Sequence, residues 1–301
     1  MYIVDLERNT CKRVIDWNDK SINWEGRGKD RGLRGIAFYE GMVLLAASDA
    51  ILVYDTTFRL VESHRNSYLK HCHEIFVHKN KLYLTSTGYD SILEFDLEGK
   101  KFTRGWCFRP RLAQSRLMTK LSRRLRRPLV PRLSLFEPHS GKGPLPGDTI
   151  HLNNVFVGDN TLFVSGTGLN AVWGINDASL FRYGTVPLIT HNARPFRDGI
   201  LFNDTASERI LYATPPGQIL ASFSINRYPD AQLLNAGLPK DHARQAFGRG
   251  LCLFQNNWII GGSSPATISA YQLDGGAQPI STVNVTMDVR NAIHGLEIWP
   301  Y

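Results

Sequence analysis

An all-β fold, a six-bladed β-propeller whose last blade is closed by the two chain ends, is what the sequence predicts, and three observations carry it. Short apolar runs bounded by polar turns recur along the chain. Two pairs of recurring units are offset by the same 39 residues, Arg34 to His73 and Asn153 to Asn192. The composition, 301 residues with 43% hydrophobic and 21% charged side chains, is that of a chain with a buried core, which excludes global disorder and fibrous repeats.

The units can be read in order. RGIAFYEGM (34–42) is followed by VLLAASD and AILVYDT; HEIFVHKNK (73–81) by LYLTSTG and SILEFDLEG; NNVFVGDNT (153–161) by LFVSGTG and AVWGIND. Two looser units follow, NARPFRDGILFNDT with RILYATP and QILASFSI, and RGLCLFQNNWIIGGSS with TISAYQLDG and PISTVNV. Repeats of about 40 residues, each a four-strand meander, predict a propeller, because a sheet with two apolar faces needs a neighbour on both sides. A sixth blade is expected from C-terminal HGLEIWPY paired with N-terminal MYIVDLERNT and KRVIDW. It has either three strands or a further one upstream of Met1. The chain is thus read as one domain, 1–301, with insertions at 107–148 and 227–246.

Charge is localised. Between Cys107 and Asp148 stand ten Lys and Arg against two acids, which accounts for the whole formal net charge of +8. A dedicated nucleic-acid-binding face is therefore not expected. Four scattered cysteines without a CxxC pair, no apolar run near the roughly 18 residues of a membrane span, and a start without a signal-peptide pattern give the expectation of a reduced, cytoplasmic protein.

The units resemble the six-bladed propellers of the NHL and gluconolactonase-like superfamily. The stretch 191–301, with HNARPFRDGILFND, GRGLCLF, GGSS and HGLEIWP, is similar to an uncharacterised bacterial propeller family. This resemblance covers most of the chain outside 107–148 and 227–246. By analogy with gluconolactonase-like enzymes it implies a divalent ion held near the axis by carboxylate and Asn ligands, for which Asn153 and Asp204 are the matching residues.

In a propeller the innermost strands line the central channel, so the residues opening them meet at one mouth. Here they are Arg34, His73, Asn153, Asn192, Arg249 and His294, with His71, His151 and His191 one or two residues upstream. Five of the nine histidines thus converge from distant positions. In one chemistry, His73, His151, His191 and His294 bind a divalent transition metal (Zn, Mn, Fe or Cu) and supply acid–base groups. Arg34 and Arg249 then clamp an anion through their planar forks, helped by Asn153, Asn192, Asp204 and His71. A metal-free ligand pocket and a purely structural ring fit the same residues. Cys72, between His71 and His73, points to the opposite strand face and is expected to be a packed thiol.

Within the first insertion, 111–127 places Leu117, Met118, Leu121 and Leu125 on one helical face among arginines. Such a basic helix suits an anionic membrane surface or an acidic protein, or can guide an anionic substrate into the mouth. The expected function is an enzyme, a metal-assisted lyase, hydrolase or isomerase, acting on an anionic small molecule or saccharide. The alternative is a non-catalytic binding or scaffold propeller working through the basic helix.

Overall fold

Where the sequence shows apolar runs separated by tight polar turns, the chain forms antiparallel strands in groups of four. The structure is a computed structural model, described over residues 1–17, 32–109, 130–176, 179–240 and 243–301. Blade one comprises Ile36–Tyr39, Met42–Ala47, Ala50–Asp55 and Leu60–Arg65. Blade two comprises Ile75–His78, Lys81–Ser86, Ser91–Asp96 and Lys101–Cys107, with Ser134–Phe136 added at its outer edge. Blade three comprises Leu152–Gly158, Thr161–Gly166, Ala171–Asn176 and Ser179–Thr185. Blade four comprises Thr190–Phe196, Gly199–Asp204, Arg209–Ala213 and Ile219–Ser224. Blade five comprises Gly250–Phe254, Trp258–Ser263, Thr267–Gln272 and Ser281–Asn284.

The result is an all-β propeller of five blades among the described residues, not the six expected. The N-terminal strands pair only with each other, Tyr2–Asp5 on Thr10–Arg13. The C-terminal segment HGLEIWPY forms no strand; just before it, Gly250 donates to the Ile293 carbonyl at 2.9 Å and Ile293 to that of Ser263 at 3.2 Å. A two-stranded hairpin and this extended segment therefore stand where a sixth blade was expected.

Packing explains how they still fill the gap. Apolar clusters join each blade to the next: Leu44 and Ala46 with Leu82 and Leu84, Ile92 with Val155 and Val164, Phe163 with Ile200 and Phe202, Leu201 with Leu251 and Ile259. Val4, Leu6, Leu296 and Ile298 pack on Cys252, Ile260 and Ile268 of blade five. Met1, Ile15, Trp17 and Trp299 pack on Val43 and Leu45 of blade one. Second strands, covered on both faces, read as continuous apolar runs, whereas the outer strand Leu60–Arg65 is mostly exposed.

Buried polar side chains stitch the inner strands together around the channel. Thr87 Oγ1 donates to the Leu152 carbonyl (2.5 Å), Asn153 to that of Thr190 (2.9 Å), Asn154 to that of Ala193 (2.9 Å), and Asn203 to those of Arg249 and Gly250 (3.3 Å). Each bond crosses from one blade to the next and gives a buried side-chain donor its acceptor. Packing between blades one and two is tight enough that a Cβ on Gly35 would lie 2.6 Å from Ile75 N.

Of the first insertion, residues 107–109 and 130–148 are described. Ser134–Phe136 extends blade two, and the return limb crosses the mouth face, where Gly147 donates to the Gly88 carbonyl at 2.7 Å. The basic helix expected at 111–127 lies outside the described residues. Among the described residues no helix is long and apolar enough to cross a membrane.

Candidate functional site

Inner strands enter the channel at the mouth through backbone turns in the left-handed region. His71 and His151, two residues before the unit starts of blades two and three, have φ of 55° and 53°, a conformation non-glycine residues adopt sparingly. The turn at His71 aims its carbonyl back at the following imidazole, so His73 Nδ1 sits 2.9 Å from His71 O and 2.8 Å from Thr87 Oγ1. A carbonyl only accepts, so Nδ1 carries the proton and Nε2 presents a lone pair. That lone pair meets Arg34 Nη1 at 2.6 Å. Thr87 spends its own proton on Leu152, which leaves its oxygen to accept from His73.

The same pairing recurs between Arg249 Nη1 and His294 Nε2. The rings of His73 and His294 lie 5.9 Å apart, and that of His151 lies 4.9 Å from His73. Burial, followed by the charge of Arg34 at His73 and those of Arg249 and Arg34 at His294, pushes both well below the ordinary imidazole range, so both are neutral. His191 is pushed down likewise, by burial and then by Arg249, and its ring packs 5.4 Å from Phe247. Arg249 lies 4.4 Å and Arg244 4.9 Å over the same Phe247 ring. Burial and the neighbouring guanidiniums lower Arg249 to about 9, which leaves it a cation at neutral pH.

His151 differs from its neighbours. Its Nδ1 lies 3.0 Å from both carboxylate oxygens of Asp148, and both side chains are partly open to solvent. The limb carrying them is held by Asp90, whose carboxylate accepts from Thr149 and Ile150 amides at 3.0 Å. Burial raises Asp90 to about 6 despite these donors.

The remaining candidates are placed differently. Asn153 is buried and spends its amide on Thr190; Asn192 donates to Glu74 Oε2 at 3.0 Å, spanning from blade four to blade two. Asp204 serves its own turn, accepting from Ser207 Oγ at 2.6 Å and Ala206 N at 3.1 Å. His71 contributes its carbonyl. Cys72 is fully buried, and burial raises its thiol to about 12, so it is not a nucleophile.

Sequence reading passed over Phe247, Asp148, Arg244 and Glu74. Phe247 stands two residues before a unit start, as His71 and His151 do, and that register was a usable signal. Glu74 aligns with Gly35, Asn154, Ala193, Gly250 and Gly295, so one acid in a row of small or neutral residues marked it. Burial raises it to about 8.

These residues do not fit a transition metal. Among the described residues no three His, Cys, Asp or Glu side chains converge to hold one, and guanidiniums face the Nε2 lone pairs that His73 and His294 would have to offer. What the mouth presents is positive charge beside neutral imidazoles and one carboxylate-oriented histidine.

Among solved structures, the chain is similar to virginiamycin B lyase from Staphylococcus aureus, at 11% identity over 80% of this chain and 70% of that one, with a TM-score of 0.44. It is similar to a streptogramin B lyase at 13% identity, over 81% and 70%, with a TM-score of 0.41. It is also similar to the WD40 β-propeller domain of Doa1 at 11% identity, over 87% and 72%, with a TM-score of 0.48. No protein-family model and no curated protein matches the sequence.

Proposed function

We propose that the mouth binds a small anionic molecule, a carboxylated or phosphorylated compound or an acidic saccharide, and moves a proton on it without a metal. Arg34 and Arg249 hold the anion. His73 and His294, kept neutral, fix the two guanidiniums without cancelling their charge, as a carboxylate partner would. His151 is the general base: Asp148 accepts its Nδ1 proton, which turns the Nε2 lone pair outward and stabilises the imidazolium formed on proton capture. A proton taken from a carbon beside a carboxylate leaves negative charge on that carboxylate, where the guanidiniums stabilise it. Lyase and isomerase reactions share this first step.

The observation that carries the reading is the Asp148–His151 pair opening onto two Arg–His pairs. The test has two parts. Calorimetry with inorganic phosphate and malonate should show binding that weakens roughly tenfold or more in Arg249→Gln. Acidic sugars and hydroxy acids incubated with the protein in D2O should include one whose carbon-bound proton exchanges, seen by NMR. That exchange should disappear in His151→Gln while phosphate binding persists. Anion binding indifferent to both Arg34→Gln and Arg249→Gln would overturn the reading; binding without exchange would leave a recognition site rather than an enzyme.

A further inference from the structure

At the opposite end of the axis, where the inner strands turn back, lies a cavity of about 370 Å³ whose wall includes Phe76, Phe156, Arg194, Phe196, Arg197 and Glu297. We propose that it is a second ligand site, for a small carboxylate with an apolar or aromatic body. It does not depend on the reading of the mouth.

Its two cations are held by aromatic faces. The Arg194 guanidinium lies 6.0 Å from the Phe156 ring centre and that of Arg197 5.2 Å from that of Phe196. Arg197 is steadied further by a 2.6 Å bond to the Asn256 carbonyl. Among the described residues neither guanidinium has a carboxylate within ion-pair distance, although the charges of Glu297 and Glu74 reach Arg194 from farther off, and the Arg194 Nε is shielded from solvent with no hydrogen-bond partner. That Nε is turned away from the cavity, so a carboxylate seated there would meet the remaining guanidinium nitrogens of Arg194 and Arg197 instead. Phe76 and Phe156, 4.8 Å apart, offer the apolar body a wall, and the volume is within the range of small-molecule pockets. Glu297, exposed at the cavity rim, faces Arg194 and leaves Arg197 as the cation farther from a lining acid. Between this cavity and the mouth, Asn192 of blade four donates to Glu74 of blade two at 3.0 Å.

The experiment is calorimetry on the full chain with phenylacetate, hexanoate, phenylacetamide and phenethylammonium. Phenylacetate and hexanoate should bind, and the amide should bind at least about tenfold more weakly. Arg194→Gln should weaken phenylacetate by a similar factor and leave phosphate at the mouth untouched, whereas Arg249→Gln should do the reverse. Arg197→Gln, at the open rim, gives the same reading if Arg194→Gln fails to fold. The proposal is overturned if amide and acid bind alike, if the ammonium binds better than either, if binding follows Arg249 rather than Arg194, or if neither carboxylate binds at about 10 mM.

Discussion

Arg34 Nη1 and His73 Nε2 lie 2.6 Å apart across the junction of blades one and two, so a guanidinium and a neutral imidazole that start neighbouring repeats share one proton-donor contact. The arrangement predicts a spectroscopic result. Nitrogen NMR of the wild type should show His73 as the Nδ1–H tautomer, without protonation, well below pH 6.5. In Arg34→Met the charge that lowers His73 is gone but burial, the larger cause, remains. Its titration should therefore move up yet stay below the ordinary imidazole value. A His73 that titrates normally in the wild type would contradict the pairing.

The buried groups of the channel set a pH dependence of stability with two signs. His73, His191 and His294 have folded pKa values below the unfolded value of 6.5. The unfolded chain takes up their protons first, and stability falls as pH drops below 6.5 by about 1.4 kcal/mol per unit for each. Glu74 is raised from 4.5 to about 8, so its contribution is full below 4.5 and is lost as pH rises towards 8. From pH 6.5 to 8 the histidines no longer oppose it, and the amino terminus, lowered below 8.0 by burial, offsets part of it. Chemical denaturation should show wild-type stability declining over that window, and the decline should flatten in Glu74→Gln.

Gly35, just before the inner strand of blade one, lies close against blade two, where an added Cβ would meet Ile75 N at 2.6 Å. A backbone atom cannot move aside as a flexible side chain would. Gly35→Ala should therefore cost about 1–3 kcal/mol, the usual range for overpacking, read as a lower denaturant midpoint at unchanged slope. Gly237, with nothing within 4 Å of its Cβ position, is the control; Gly237→Ala should leave the midpoint within about 0.5 kcal/mol.

The blades were legible because each second strand, sandwiched between neighbours, must be apolar on both faces, as VLLAA and LFVS are. Equal registers in adjacent blades meet at the axis, so the 39-residue step puts Arg34 and His73 in one ring of residues at the mouth; their pairing is not written in the spacing. The blade count was not legible: apolar C-terminal residues such as Leu296 and Ile298 pack equally well as an extended segment, and hydropathy does not say whether a ladder forms. Asp148 was obscured because it belongs to an insertion rather than to a repeat. Its relation to His151 depends on Asp90, 58 residues earlier, accepting two amides of the intervening limb.

Trp299 tests how the ring closes. Its ring lies 5.6 Å from that of Phe38 at 87° and 5.4 Å from that of Phe58, and Tyr301 adds a 3.0 Å hydrogen bond from Gly41 N. These contacts bind the C-terminal segment to blade one, while Leu296 and Ile298 bind it to blade five. Trp299→Ala removes a large, partly buried aromatic, so a cost of about 2–3 kcal/mol is expected, below that of a fully buried one. The loss should be local in hydrogen exchange. Amides of Ile36–Tyr39 and of the hairpin Tyr2–Asp5 should exchange faster, while those of Thr161–Gly166 in blade three keep their protection. Equal acceleration in all five blades would mean that the chain ends do not close the ring as a separate unit. No acceleration anywhere would mean that the hairpin alone holds blades five and one together.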